Sequence, residues 1–190
     1  MGLGPTNKCW PWNRLAGVPA EAGKWESHST MAAADLLLGE YARTLDERFR
    51  LTLPPELVDP LLDAGPKLVL AKERAGCLSL WSASLWKPRL DAAVAVIRSK
   101  WDAGLLAQRM PQVQEIGRLL STRQLGVSLA GRSRLVIPEG FREFLGVEPG
   151  GSLMVVGAAL CVELWQPAAW AAYVTNEMPG FRQRLDELTA

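Results

Sequence analysis

The chain repeats itself. Slid by 84 positions it aligns with itself without a gap: Leu45 falls on Leu129, Arg48 on Arg132, Arg50 on Arg134, Leu51 on Leu135, Pro54 on Pro138 and Leu61 on Leu145. Ala75 then meets Ala159, Cys77-x-x-Leu80-Trp81 meets Cys161-x-x-Leu164-Trp165, and Trp86 meets Trp170. Eleven of the 42 columns from 45 to 86 are identical, where average residue usage gives about three by chance. Two of the matches are tryptophans and one is a cysteine, types that seldom recur by accident. Conservative columns agree: Thr44/Ser128, Leu53/Ile137, Leu57/Phe141, Asp59/Glu143 and Leu70/Met154.

Each local reading can therefore be made twice. In the first copy, Glu40 to Leu45 and Arg50 to Leu53 are expected as short strands flanking a tight polar turn. Pro54-Pro55 stops the second strand and opens a helix, because proline is tolerated in a first helical turn. That helix is expected to run to about Asp63, followed by strands from Leu68 to Lys72 and from Cys77 to Trp81. The second copy gives strands at Leu125 to Leu129 and Arg134 to Ile137, a helix from Glu139 to Leu145, and strands at Leu153 to Val156 and Cys161 to Trp165. The apolar run Leu153 to Val162 contains Gly157 and reads as strand, turn, strand. After the first copy, Trp86, Leu90, Val94, Ile97, Trp101 and Leu105 form an amphipathic stripe, interrupted at Pro111 and resumed from Gln112 to Leu120. A helix bearing Trp170, Tyr173 and Val174 breaks at Pro179-Gly180, and Phe181 to Leu188 closes the chain.

Residues 1–30 differ. Pro5, Pro11 and Pro19 are interspersed with Gly2, Gly4, Gly17 and Gly23, and neither helical nor strand periodicity survives. The segment is expected to be a flexible tail, with Trp10, Trp12 and Trp25 as docking residues, or the product of a mis-called start if translation begins at Met31. Domain boundaries follow: 36–104 for the first repeat with its long helix, 105–120 for a linker helix, 121–178 for the second repeat, and 179–190 for a C-terminal helix.

Composition narrows the function. The 21 basic and 20 acidic residues give a formal charge of +1, which excludes a protein that coats nucleic acid through bulk positive charge. Removing the three basic and two acidic residues of 1–30 leaves 18 of each in the duplicated body. A single histidine, His28, and three scattered cysteines with no CxxC pair give neither a metal ribbon nor histidine catalysis. No nucleophile–base pair or phosphate loop stands out. The expected protein is a non-enzyme with no cofactor, no metal, no membrane span, and no small-molecule substrate.

The residues that suggest chemistry are the arginines of the two turns, Arg48 and Arg50 after Asp46, and Arg132 and Arg134 after Ala130. Residues two apart on an extended chain share a face, so each pair can present two guanidinium groups to phosphate oxygens or guanine edges. A two-stranded ribbon is also narrow enough for the major groove. The competing reading is solvated turn arginines, with Arg50 paired to Asp46. Between Leu105 and Arg134 five arginines face one acid, Glu115, which makes the second turn the stronger expected phosphate binder. Arg43 and Arg123 are further DNA-contact candidates.

This pattern resembles the MraZ family of swapped-hairpin AbrB/SpoVT-like bacterial regulators. The resemblance covers roughly residues 36–178 and rests on Asp46-x-x-x-Arg50, the strand ends Leu51–Pro54 and Leu135–Pro138, Leu80-Trp81, Leu164-Trp165, and Arg118-Leu119-Leu120. It implies an α+β fold in which two tandem swapped-hairpin β-α-β repeats interlock about a pseudo-twofold axis in a β-barrel-like core with flanking helices. It also implies a cytoplasmic, nucleoid-associated transcriptional regulator of the division and cell-wall gene cluster. Such a regulator would bind repeated boxes in double-stranded DNA as a ring-like homo-oligomer, Arg50 and Arg134 being the motif arginines and Asp46 the residue that orients Arg50.

Two departures stand out. Ala130 replaces the orienting aspartate, and Phe49 and Ser133 stand where the family tends to place glycine. Positive φ is costly for phenylalanine, so the turns are expected to be built differently. The alternative function is an oligomeric interaction protein on the same fold that has lost specific DNA recognition.

Overall fold

The computed structural model describes residues 36–190 apart from 64 and 132. The expectations for residues 1–30, for a start at Met31 and for Arg132 therefore lie outside the described residues.

Fourteen elements follow in chain order: β1 (Leu37–Thr44), β2 (Arg50–Thr52), α1 (Pro55–Asp63), β3 (Leu68–Arg74), β4 (Cys77–Ser82), α2 (Ala83–Asp102), α3 (Met110–Arg123), β5 (Gln124–Val127), β6 (Arg134–Val136), α4 (Glu139–Leu145), β7 (Ser152–Ala159), β8 (Val162–Trp165), α5 (Pro167–Glu177) and α6 (Phe181–Thr189). Four pairs, β2/β6, α1/α4, β3/β7 and α2/α5, begin 84 residues apart. Six strands form one sheet in the order β1-β7-β8-β4-β3-β5, and β2 with β6 forms a separate two-stranded ribbon. Every ladder is antiparallel.

The chain is thus a mixed α and β protein, but its sheet does not close. β1 and β5 are the two edges, each with one partner. Closure needs a continuous ladder around the barrel, and the strands that follow the two edges in sequence, β2 and β6, pair with each other instead. The barrel-like core is corrected to an open sheet beside a short ribbon.

The strands that flank each turn pair elsewhere. β1 joins β7, with Leu37 opposite Ala159 and Thr44 opposite Ser152, while β3 joins β5, with Leu68 opposite Val127. β1 and β2 share no ladder; the turn between them is closed by the Asp46 N–H donating to the Arg50 carbonyl at 3.0 Å. Alternation of apolar residues selects the face a strand buries, not the strand it pairs with.

The 84-residue register slips by one inside the sheet. Leu68 and Leu70 of β3 are fully buried, and their counterparts in β7 are Leu153 and Val155, 85 residues on. Met154, which the ungapped alignment sets against Leu70, instead packs on the smaller cluster of Cys77, Val156 and Trp165. A bulge between Lys72 and Arg74 restores the count before Cys77; such an extra residue leaves the partner strand uninterrupted.

Gly157 is not the turn of the β7–β8 hairpin. It pairs with Val162 inside the ladder, and a Cβ there would lie 2.6 Å from the Leu37 backbone. Glycine is what lets β1 pack this close to β7. The helical break also moves. α2 ends at Asp102, where Gly104 turns left-handed at φ +71°. Pro111 sits in the first turn of α3, where its missing N–H costs no helical bond.

The main core joins the sheet to α1, α4 and the ribbon: Leu57 and Leu61 from α1, Phe141 and Leu145 from α4, and Leu51 and Leu135 from the ribbon are all buried in it. Each such side chain contributes about 1.5–3 kcal/mol by leaving water. This packing seats the ribbon on the sheet and fixes where its two turns emerge.

Candidate functional site

The ribbon brings together what the duplication separates by 84 residues. Arg50 lies opposite Val136, Leu51 opposite Leu135, and Thr52 opposite Arg134. Leu51 and Leu135 are fully buried. Side chains alternate along a strand, so Arg50 and Arg134 stand together on the face that Leu51 and Leu135 leave to solvent. Their positions are diagonal neighbours, a relation that sets Cα atoms roughly 7–8 Å apart. Two symmetric backbone bonds tie each turn to the opposite strand: Leu53 N–H to the Ser133 carbonyl and Ile137 N–H to the Phe49 carbonyl, both 2.9 Å.

The first turn is organised by Asp46. Its Oδ1 accepts the N–H groups of Arg48 and Arg50, each at 2.8 Å, and its Oδ2 accepts Arg50 Nε at 2.6 Å. The Arg50 backbone N–H, then its side chain and the Arg48 N–H, stabilise the charged carboxylate and hold its pKa below the ordinary 3.8; partial burial opposes them. The pair is the one anticipated as the competing reading. Its consequence is orientation: Nε is occupied, while the two terminal nitrogens of Arg50 carry no contact in the described structure. The pair is well exposed, at 37% and 39%, so its stabilising effect is screened.

The second turn has no carboxylate. Ala130 N–H donates to the Arg134 carbonyl at 2.7 Å, and Arg134 N–H returns a bond to the Ala130 carbonyl at 3.2 Å. The carbonyl oxygen takes the place that Oδ1 fills in the first turn. The Arg134 side chain is exposed, with no hydrogen bond or ion pair among the described residues.

Positive φ is present in both turns, which corrects the expectation drawn from Phe49. Phe49 itself is left-handed, at φ +56°, a conformation that costs about 1–2 kcal/mol for a residue with a Cβ. In the second turn the left-handed residue is Gly131, at φ +61°, not Ser133. The cost at Phe49 is offset by its ring, which packs on the core and carries the Arg142 guanidinium 4.0 Å from its centroid. A cation over an aromatic face contributes about 0.5–2 kcal/mol, the same size as the strain. Arg142 was not among the candidate residues. Phe49 in a glycine position was the available signal that a partner was needed.

The remaining candidates are dispersed. Arg48 is exposed in the first turn. Arg43 is half-buried on β1, its guanidinium bonded to the Ala42 carbonyl and set over Tyr41. Arg123 ends α3, just before β5 and at the far end of that strand from Ala130, and is engaged by the Lys72 carbonyl at 3.1 Å, Glu73 at 3.0 Å and the Trp86 ring.

The family model described as "MraZ protein, putative antitoxin-like" matches residues 127–188. The chain is 27% identical to a transcriptional regulator MraZ of Treponema denticola over 80% of this chain and 96% of that one. It is 29% identical to the Treponema pallidum protein of the same name over 79% and 92%, and 25% identical to that of Thermomicrobium roseum over 80% and 99%. The matched stretches, about four-fifths of this chain, are too long to fall within one copy. These matches support the MraZ family for this chain.

Proposed function

We propose that this chain is a DNA-binding transcriptional regulator that acts as a homo-oligomer on repeated operator boxes of the division and cell-wall gene cluster. It rests on the swapped-hairpin reading, in which the two copies interlock about a pseudo-twofold axis. The pairing of β1 with β7, β3 with β5 and β2 with β6 supports that reading. The observation that carries the function is one exposed ribbon face bearing an arginine from each copy. The relatives' name, transcriptional regulator, supports the same class.

The two arginines divide the work. Asp46 fixes the plane of Arg50 and leaves its terminal nitrogens outward, the arrangement a bidentate contact to guanine needs. Arg134 has no orienting partner among the described residues and serves as a phosphate contact, which positions without reading. Arg48 and Arg132 flank them as phosphate contacts.

With a balanced body charge, affinity has to come from several ribbons acting together. α2 and α3 bury no residue, and Val94, Trp101, Leu105, Met110 and Leu119 are exposed on and between them. Met178, Phe181, Leu185 and Leu188 are exposed at the C-terminus. Apolar surface of this extent in both places supports ring-like self-association. Cytoplasmic, nucleoid-associated placement follows from the DNA reading; among the described residues no helix is long and apolar enough to cross a membrane.

The test is a gel shift on DNA upstream of the chain's own gene. Binding should fall steeply with salt and be lost in Arg50→Ala plus Arg134→Ala. Unchanged binding in that double variant overturns the mechanism. Ala130 favours a second reading, an interaction protein without operator recognition, which would oligomerise yet leave heparin at low salt.

A further inference from the structure

Phe49 occupies a backbone conformation that favours glycine, at φ +56°, and the side chain leaning on it comes from the other copy. Arg142, half-buried on α4, places its guanidinium carbon 4.0 Å from the Phe49 ring centroid. Its Nε donates to the Ile137 carbonyl at 3.0 Å, and the Ile137 N–H donates to the Phe49 carbonyl at 2.9 Å. Ring, guanidinium and two carbonyls close a circuit around the strained residue. The second turn has the matching backbone bond, Leu53 N–H to Ser133 carbonyl, but not the circuit. There Ser133 stands for Phe49 and buried Val58 for Arg142. The clamp accompanies the ring, not the duplication.

We propose that Arg142 is a positioning residue for the first turn: by gripping the Phe49 ring it holds Phe49 left-handed. That conformation lets Asp46 gather the Arg48 and Arg50 N–H groups and aim the Arg50 guanidinium. The effect on DNA rests on the function proposed above; the effect on the turn does not.

Two readouts on the full chain separate them: the Asp46 carboxyl titration followed by carbon NMR, and anisotropy with a duplex from upstream of its own gene. Arg142→Ala should raise the Asp46 midpoint toward its ordinary 3.8. It should also weaken duplex binding about tenfold, as happens when the competent population falls to roughly one in ten. Arg142→Lys, which keeps the cation, should retain most of both. Adding Phe49→Gly to Arg142→Ala should restore both, because glycine takes positive φ unaided; a purely structural role for Arg142 gives no such rescue. The proposal is overturned if Arg142→Ala leaves the Asp46 midpoint unmoved, or if Phe49→Gly fails to return it. If the midpoint responds as stated but the wild-type chain binds no duplex, positioning stands and the DNA reading falls.

Discussion

The two turns have the same length and end in the same residue type, Arg50 and Arg134, yet different chemistry holds them. In the first, a carboxylate collects three donors and orients the arginine. In the second, among the described residues, backbone bonds close the loop and the arginine is exposed. The left-handed residue differs in the same sense: a supported phenylalanine in one, a free glycine in the other. One turn is preorganised and the other adaptable. A binding group fixed in advance loses less freedom on contact, so the difference predicts that the first turn specifies and the second holds.

Removing the carboxylate should erase most of that difference. Asp46→Ala puts the second turn's residue at the head of the first and is expected to weaken specific duplex binding about tenfold, as measured by anisotropy, by leaving Arg50 unoriented. An effect below about twofold would mean that the Asp46 contacts do not matter to recognition.

Gly131→Ala probes the other turn. Nothing lies within 4 Å of the added Cβ, so the cost is backbone strain alone, about 1 kcal/mol in urea unfolding. A much larger loss would reveal packing in that turn. The reverse exchange is subtler: Ala130→Asp supplies the missing acceptor and should tighten binding about threefold if orientation is what Arg134 lacks.

The smallest effect is on pH. The folded Asp46 carboxyl titrates below its ordinary 3.8. The order it confers is therefore complete above that value and lost as pH falls through the lowered midpoint. Arg50 Nε–H protection should stay constant from neutrality down to about pH 4 and decline below it; a decline starting near pH 6 would place the cause elsewhere.

How much of this was legible beforehand depended on whether the signal was local. The first helix of each copy starts at Pro55 and Glu139 as proline chemistry and patterning indicate. The Asp46–Arg50 pair was visible as two opposite charges across one turn. What the pattern did not hold was partner choice. β2 with β6, and Arg142 with Phe49, meet across the duplication, and alternation carries no information about which strand a strand joins. The bulge at Lys72 to Arg74 was hidden for a related reason: the identical residues on either side of it keep the 84-residue register, so the ungapped alignment passes over the slip between. Gly157 looked like a turn because glycine has two uses, and only the approach of Leu37 shows which applies.

The central claim, that the two arginines of one ribbon do different jobs, is tested most directly by the ratio of specific to scrambled duplex affinity for Arg50→Ala and Arg134→Ala measured separately. The account predicts that Arg50→Ala weakens the specific duplex about 10- to 100-fold, in line with one lost bidentate base contact, with little change on scrambled DNA. Arg134→Ala should weaken both duplexes equally and reduce the salt dependence by about one phosphate contact. Equal loss of specificity in the two variants would contradict it.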